Sequence, residues 1–186
     1  GVAAVVLLGA FALWELRRAQ PMLDLRLFRN PRFSAASIAI TLVFFAMFGM
    51  LFFLTQYLQF VLGFSTLETG VRVTPVVVGI GSGVGIGTRL AAKIGTKIVV
   101  GAGLGIVALG LLNLSTVSDL SGYQTVLISI LILGFGMGSA MSPATDSIMG
   151  AVPEENAGVG SAVNDTTRQV GGALGVAILG SLLASS

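Results

Sequence analysis

The chain has 186 residues, of which 54% are hydrophobic and 10% charged, with a formal net charge of +2 at pH 7 and neither Cys nor His. Soluble domains carry about 25% charged residues, so a mean hydropathy of +0.96 marks an integral membrane protein. The missing Cys and His exclude thiol catalysis, disulfides and the commonest metal ligands, and ten basic residues against eight acidic ones leave no basic groove for nucleic acid.

In chain order, residues 1–14 read as the end of a transmembrane helix, short of the ~20 residues a full crossing takes. No initiator Met and no signal peptide precede them, so the chain is expected to be a fragment. Residues 15–32 form a connector in which Arg17, Arg18, Arg26, Arg29 and Arg32 outnumber Glu15 and Asp24. That excess places it in the cytoplasm, and Pro21 is positioned to start a short surface helix bearing Leu23, Leu27 and Phe28. The next charge is Glu68, so residues 33–62 are expected as one long span closed by a Gly63-Phe64-Ser65 turn. A span over residues 69–88, containing Pro75, leads to a second cytoplasmic connector with Arg89, Lys93 and Lys97 and no acid. Residues 98–115 return, Asp119 sits in an outer turn, and residues 123–150 cross back to a cytoplasmic turn containing Pro153, Glu154 and Glu155. Both basic loops then share one side. The long continuous apolar runs exclude a β-barrel, and the fold class is all-α, a polytopic membrane helix bundle.

The last stretch, residues 158–186, is long enough to cross but carries Asn164, Asp165, Arg168 and Gln169 well inside its ends. A charge near the centre of a bilayer helix costs about 2.5–3.5 kcal/mol on insertion scales, so Asp165 and Arg168 are expected to face protein, water or each other. At i and i+3 they share a face, and extending it gives Ser161, Asp165, Arg168, Gly172 and Gly175 as the packing seam, with Val163, Val170, Leu174 and Ala177 outward. Two readings of the pair stand side by side: a buried pair that titrates or switches partner as the protein changes conformation, or a structural pair whose Arg168 snorkels to the headgroups. Asp146, near the same side on the preceding helix, is a second candidate partner for Arg168.

Glycine spacing speaks to packing. The run from Gly79 to Gly87 superficially resembles a nucleotide loop, yet no G-x-G-x-x-G and no G-K-[ST] occurs, so the chain offers no ATP site of its own. Instead Gly79 with Gly83, Gly83 with Gly87, Gly101 with Gly105, Gly134 with Gly138 and Gly171 with Gly175 form G-x-x-x-G pairs that let helices approach closely. On the first long span Phe45, Phe48, Phe52, Gln56 and Gln59 recur every three or four residues. That face reads either as a substrate path for apolar or cationic aromatic compounds or as lipid-facing Phe above an interfacial belt at Tyr57.

The connector QPMLDLRLFRNPRF, the stretch FFLTQYLQFVLGFSTLETGVRVTP, the segment GFGMGSAMSPATDSIMGAVPEENAGVGSAVN and the helix DTTRQVGGALGVAILGS together resemble the C-terminal half of a major facilitator superfamily protein, in its fourteen-helix drug:proton antiporter branch. The resemblance implies that residues 1–14 end a linker helix, that residues 15–32 are the cytoplasmic basic connector, and that residues 33–186 hold five helices of a partial C-terminal transporter domain, with the N-terminal domain and the final helix missing. It also implies proton-coupled efflux of drugs or other amphipathic small molecules across a bacterial plasma membrane by a secondary active transporter. No cofactor or metal is expected, the partners being the small-molecule substrate, protons, the lipid bilayer and the missing N-terminal domain. RLAAKIGTK resembles the family's cytoplasmic loop motif: Lys93, Gly95 and Lys97 match, while Ala92 stands at the acidic position and Thr88 at the leading glycine, so the expected charge latch lacks its acid. The proton-coupling acids are expected mainly in the missing N-terminal domain. The alternative is a non-transporting membrane protein, a sensor or a structural half-bundle. An enzyme is not expected, because no nucleophile or metal cluster is assembled by these residues.

Overall fold

The computed structural model describes residues 25–116, 123–153 and 157–184, together with Val6, Gly9, Ala10 and Trp14. Most of the expected partial span over residues 1–14, the Pro21 and Leu23 part of the connector, the Asp119 turn, and Glu154 and Glu155 lie outside the described residues. A 3-10 turn, Leu25–Arg29, leads into α1 (Pro31–Gln56). Asn30 caps that helix by accepting from the Arg32 amide at 3.0 Å, and Pro31, which has no N–H to satisfy, takes the first position. Phe28 meets Phe33 edge to face at 5.1 Å between ring centres, which holds the connector against the helix it precedes.

α1 runs on through a π-helical turn, Tyr57–Val61, and stops at Gly63, whose φ of +69° only glycine adopts freely. α2 (Thr66–Val73) opens with a capping box in which Ser65 and Glu68 satisfy each other's backbone amides. Pro75 then begins α3 (Pro75–Ile94), which continues almost without interruption from α2. Gly95, at φ +92°, is the one residue between α3 and α4 (Thr96–Ser115). α5 (Tyr123–Gly150) and α6 (Ala157–Ala184) complete the described bundle. All described elements are helical, and α1 with its π turn, α2 with α3, α4, and α5 are each long and apolar enough to cross a membrane. α6 has 28 residues, about 42 Å at ~1.5 Å per residue, but its polar first half keeps it less apolar than the others. This is a multi-pass cell-membrane bundle.

α5 is the hub. It is buried between α3 on one side and α4 on the other and also touches α1, while α6 rests mainly on α1. Glycines set these approaches. A Cβ at Gly79 or Gly83 would run into the α5 backbone at Leu131, Phe135 and Ser139, and one at Gly134 or Gly138 into the α3 backbone at Val76 and Ile80. Gly171 and Gly175 of α6 lie on the backbone carbonyls of Thr41 and Phe45 in α1. The order of these contacts shows α3 running parallel to α5 and α6 parallel to α1, as alternating crossings require. One end of the bundle therefore gathers the N-termini of α1, α4 and α6 and the C-termini of α3 and α5. Phe33, Ile148, Val152 and Val163 form a buried cluster there, and Arg29, Arg32, Arg89, Lys93 and Lys97 ring it, as expected of a cytoplasmic face.

Three expectations change. The span expected over residues 69–88 runs to Ile94, and the expected second connector shrinks to Gly95. Arg89 and Lys93 ride on the last turns of α3, where long basic side chains reach the headgroups without ending a helix; the positive φ of Gly95 ends it. In α4 the Gly101 and Gly105 pair meets nothing within 4 Å, and Gly103 and Gly110 instead take the contacts with Gly136, Ser139 and Leu133 of α5. The seam of α6 is also turned: Val163 is buried and Ser161 and Asp165 are exposed, so Gly160, Val163, Asn164, Gly171 and Gly175 mark the packed line. Close backbone approach to Thr41 and Phe45 decides that rotation, because only the glycine line fits there.

Candidate functional site

Polar side chains within this apolar bundle converge on the last third of α5, toward the end ringed by basic residues. Ser142, Thr145 and Asp146 lie three and four residues apart and so share one side of the helix. On one flank the Ser142 hydroxyl is 3.2 Å from the hydroxyl of Thr88 in α3. On the other the Arg168 guanidinium of α6 donates a long hydrogen bond, 3.5 Å, to the Thr145 hydroxyl. One polar strip thus spans three helices.

Arg168 anchors it. Its guanidinium carbon stands 5.3 Å from the centre of the Phe44 ring on α1, within cation–π range, and Phe44 stacks on Phe48 at 6.3 Å. Its Nε is buried without a hydrogen-bond partner among the described residues, as are Oδ1 of Asn164, one turn earlier, and Oγ of Ser37 on α1. Asn164 is 6% exposed. Asn164 and Arg168 thus leave a buried acceptor and a buried donor without partners one turn apart on α6, and leaving such groups unmade is costly.

The expected Asp165–Arg168 pair is not formed. Among the described residues the one ion pair is Arg72 with Glu68 at 3.8 Å, and Asp165 and Asp146 are both exposed. The i, i+3 spacing does place Asp165 and Arg168 on adjacent azimuths, but the glycine seam turns Arg168 and Asn164 inward and Asp165 out. Arg168 therefore holds to a hydroxyl and an aromatic face in place of a carboxylate.

The stripe on α1 meets α6 along part of its length. The Phe48 ring covers Gly172, Phe52 borders Gly180, and the Phe45 carbonyl abuts Gly175, so this face is largely the α1–α6 interface, with one edge of Phe48 exposed and Gln56 and Gln59 half-buried beyond it. Of the loop motif, Lys93, Gly95 and Lys97 are all exposed around the α3–α4 turn, and Ala92 offers no acid to them. Sequence reasoning passed over Ser142, Thr145, Phe44 and Ser37. The helical spacing of Ser142, Thr145 and Asp146 was the available signal; Phe44 and Ser37 carried none that distinguished them from core.

A family model described as Major Facilitator Superfamily matches residues 2–176. The chain is 36% identical over 177 residues to the Multidrug resistance protein Stp of Mycobacterium tuberculosis, covering 95% of this chain and 33% of that protein. It is 34% identical over 183 residues to the Tetracenomycin C resistance and export protein of Streptomyces glaucescens, covering 98% and 34%. It is 32% identical over 182 residues to the Methyl viologen resistance protein SmvA of Salmonella typhimurium, covering 97% and 37%. The chain spans about a third of the length of the curated relatives it matches.

Proposed function

The chain belongs to the Major Facilitator Superfamily, and from that premise we propose that it forms part of a secondary active exporter of drugs and other amphipathic small molecules, driven by the proton gradient. The observation that carries this reading is the strip of Thr88, Ser142, Asp146, Thr145, Arg168 and Asn164 across three membrane helices. Lipid does not solvate such a strip, so it faces a water-filled path shared with the rest of the transporter. The names of the relatives, which speak of methyl viologen, tetracenomycin C and multidrug resistance, support a substrate class of aromatic and cationic compounds. The fourteen-helix branch and the placing of residues 33–186 as five helices of the C-terminal domain belong to the same proposal. In it, Arg168 ties α6 to α5 and α1 in one conformation and exchanges Thr145 for another partner as the cavity opens to the other side. Phe48, Gln56 and Gln59 extend the path outward from the Phe44–Phe48 stack.

The absence of Cys makes thiol mapping clean within these residues. In membranes carrying the full transporter, Ser142→Cys is expected to react with a water-soluble thiol reagent and to be protected by methyl viologen. Leu109→Cys, on an apolar exposed face of α4, is expected to stay unreactive. Equal reactivity at the two positions, or an inert Ser142→Cys, contradicts the proposed path.

A further inference from the structure

At the end of the bundle opposite the basic ring, three separate elements build a cage around a cation. The Arg72 guanidinium carbon of α2 lies 3.6 Å from the centre of the Phe64 ring and 5.8 Å from that of Tyr123, the first residue of α5. The carboxylate of Glu68 stands 3.8 Å from Arg72 Nη1. Two of the three walls, Tyr123 and Glu68, are placed without the arginine side chain. Tyr123 donates its hydroxyl proton to the Arg72 backbone carbonyl at 2.7 Å, and Glu68 accepts from the Ser65 amide at 2.9 Å and from the Ser65 hydroxyl at 3.0 Å. The Arg72 side chain, by contrast, is held among the described residues by the two rings and an ion pair whose partners are 30% and 53% exposed, an interaction of little strength in water.

We propose that Phe64, Tyr123 and Glu68 form an outer binding site for organic cations, which Arg72 fills as an internal stand-in when no ligand is bound. Two aromatic faces and one fixed carboxylate are the chemistry that recognises a delocalised or quaternary cation: the rings attract it through their quadrupoles and the acid neutralises its charge. A ligand of this kind displaces the guanidinium into the adjacent water, and the cage keeps its shape because backbone contacts hold Tyr123 and Glu68. The site thereby serves as a station at which an exported cation pauses before release or from which it is recaptured, and Arg72 sets its affinity by competing for it. This inference rests on the proposed export of cationic compounds and adds to it a place and a competitor.

The test is equilibrium binding of tetraphenylphosphonium to the purified full transporter in detergent. Arg72→Gln removes the competitor and is expected to tighten binding by about 2- to 5-fold, the range an exposed cation–π contact supplies. Arg72→Lys keeps a cation and is expected to leave binding near that of the unaltered protein. Adding Phe64→Ala to Arg72→Gln is expected to abolish the gain. Phe64→Ala alone, expected to weaken binding, gives a second reading should Arg72→Gln not be recovered folded. Unchanged or weaker binding by folded Arg72→Gln, in a transporter that still exports methyl viologen, overturns the cage and spares the proposed function. A protein that neither binds tetraphenylphosphonium nor exports methyl viologen overturns both.

Discussion

Replacing Gly138 by valine is expected to remove most of the folded protein from the membrane, the largest stability effect of any single substitution considered for this bundle. A Cβ there would collide with the Ile80 carbonyl oxygen and come within 2.9 Å of the Ile80 carbonyl carbon and the Val84 nitrogen. These are backbone atoms of α3, so no side chain can swing aside; the two helices must separate. The facing position behaves alike, because a Cβ at Gly83 meets the Phe135 carbonyl and lies 2.9 Å from the Ser139 nitrogen. Inserting methylenes into a packed interior costs about 1–3 kcal/mol and occasionally more, and a contact with backbone on both sides belongs at the upper end. In a bundle whose total stability is a small difference of large terms, that is enough to populate the unfolded or degraded state. Gly81→Val and Gly101→Val, where a Cβ meets nothing within 4 Å, are the controls and are expected to leave thermal stability nearly unchanged. The quantity to compare is the melting temperature of the detergent-purified variants. Equal losses at Gly81 and Gly138 would show that glycine serves helix flexibility here and not the α3–α5 approach.

The largest functional effect is expected at Arg168. Arg168→Gln removes both the hydrogen bond to Thr145 and the cation held over Phe44. A well-formed hydrogen bond to a charged group contributes about 1.5–3 kcal/mol, and at 3.5 Å this one lies at or below the low end; with each 1.4 kcal/mol about tenfold, efflux is expected to fall by up to about an order of magnitude at unchanged protein level. Arg168→Lys keeps the charge but not the planar fork and is expected to recover only part. Asp165→Asn provides the contrast. Because Asp165 is exposed and makes no ion pair with Arg168, its neutralisation is expected to leave efflux within about twofold, as surface substitutions away from specific contacts usually do. Comparable losses at the two positions would restore the paired reading and with it an Asp165 facing inward.

Much of the bundle was legible because membrane helices announce themselves by length and by where charges stop. The span over residues 123–150 and the long first crossing with its glycine turn are found at those positions. So are the close approaches at Gly79, Gly83, Gly134, Gly138, Gly171 and Gly175. What spacing could not supply was rotational phase. In a soluble helix the apolar stripe fixes which side is inside; in a bilayer both the lipid face and the protein face are apolar, and small residues become the only phase marker. α4 carries glycines at 101, 103, 105 and 110, so two phases fit equally well, and only the partner surface of α5 selects Gly103 and Gly110. In α6 the polar residues pointed to one seam and the glycines at 171 and 175 to one slightly turned from it, and backbone approach to α1 decided for the glycines. The consequence reaches the candidate site: Asn164 goes inside, Asp165 outside, and Thr145 on a neighbouring helix replaces the carboxylate that the i, i+3 rule had offered to Arg168.

That this chain forms part of a gradient-driven exporter is tested most directly by efflux of a fluorescent lipophilic cation from energised membrane vesicles. Two forms are compared: the 186-residue chain alone and the same chain joined to its upstream coding region. Efflux from the longer protein that collapses when a protonophore dissipates the gradient, and that Arg168→Gln suppresses, is the predicted result. Efflux insensitive to the protonophore would contradict proton coupling, and no flux from either inserted protein would contradict the exporter and favour a membrane protein that does not transport.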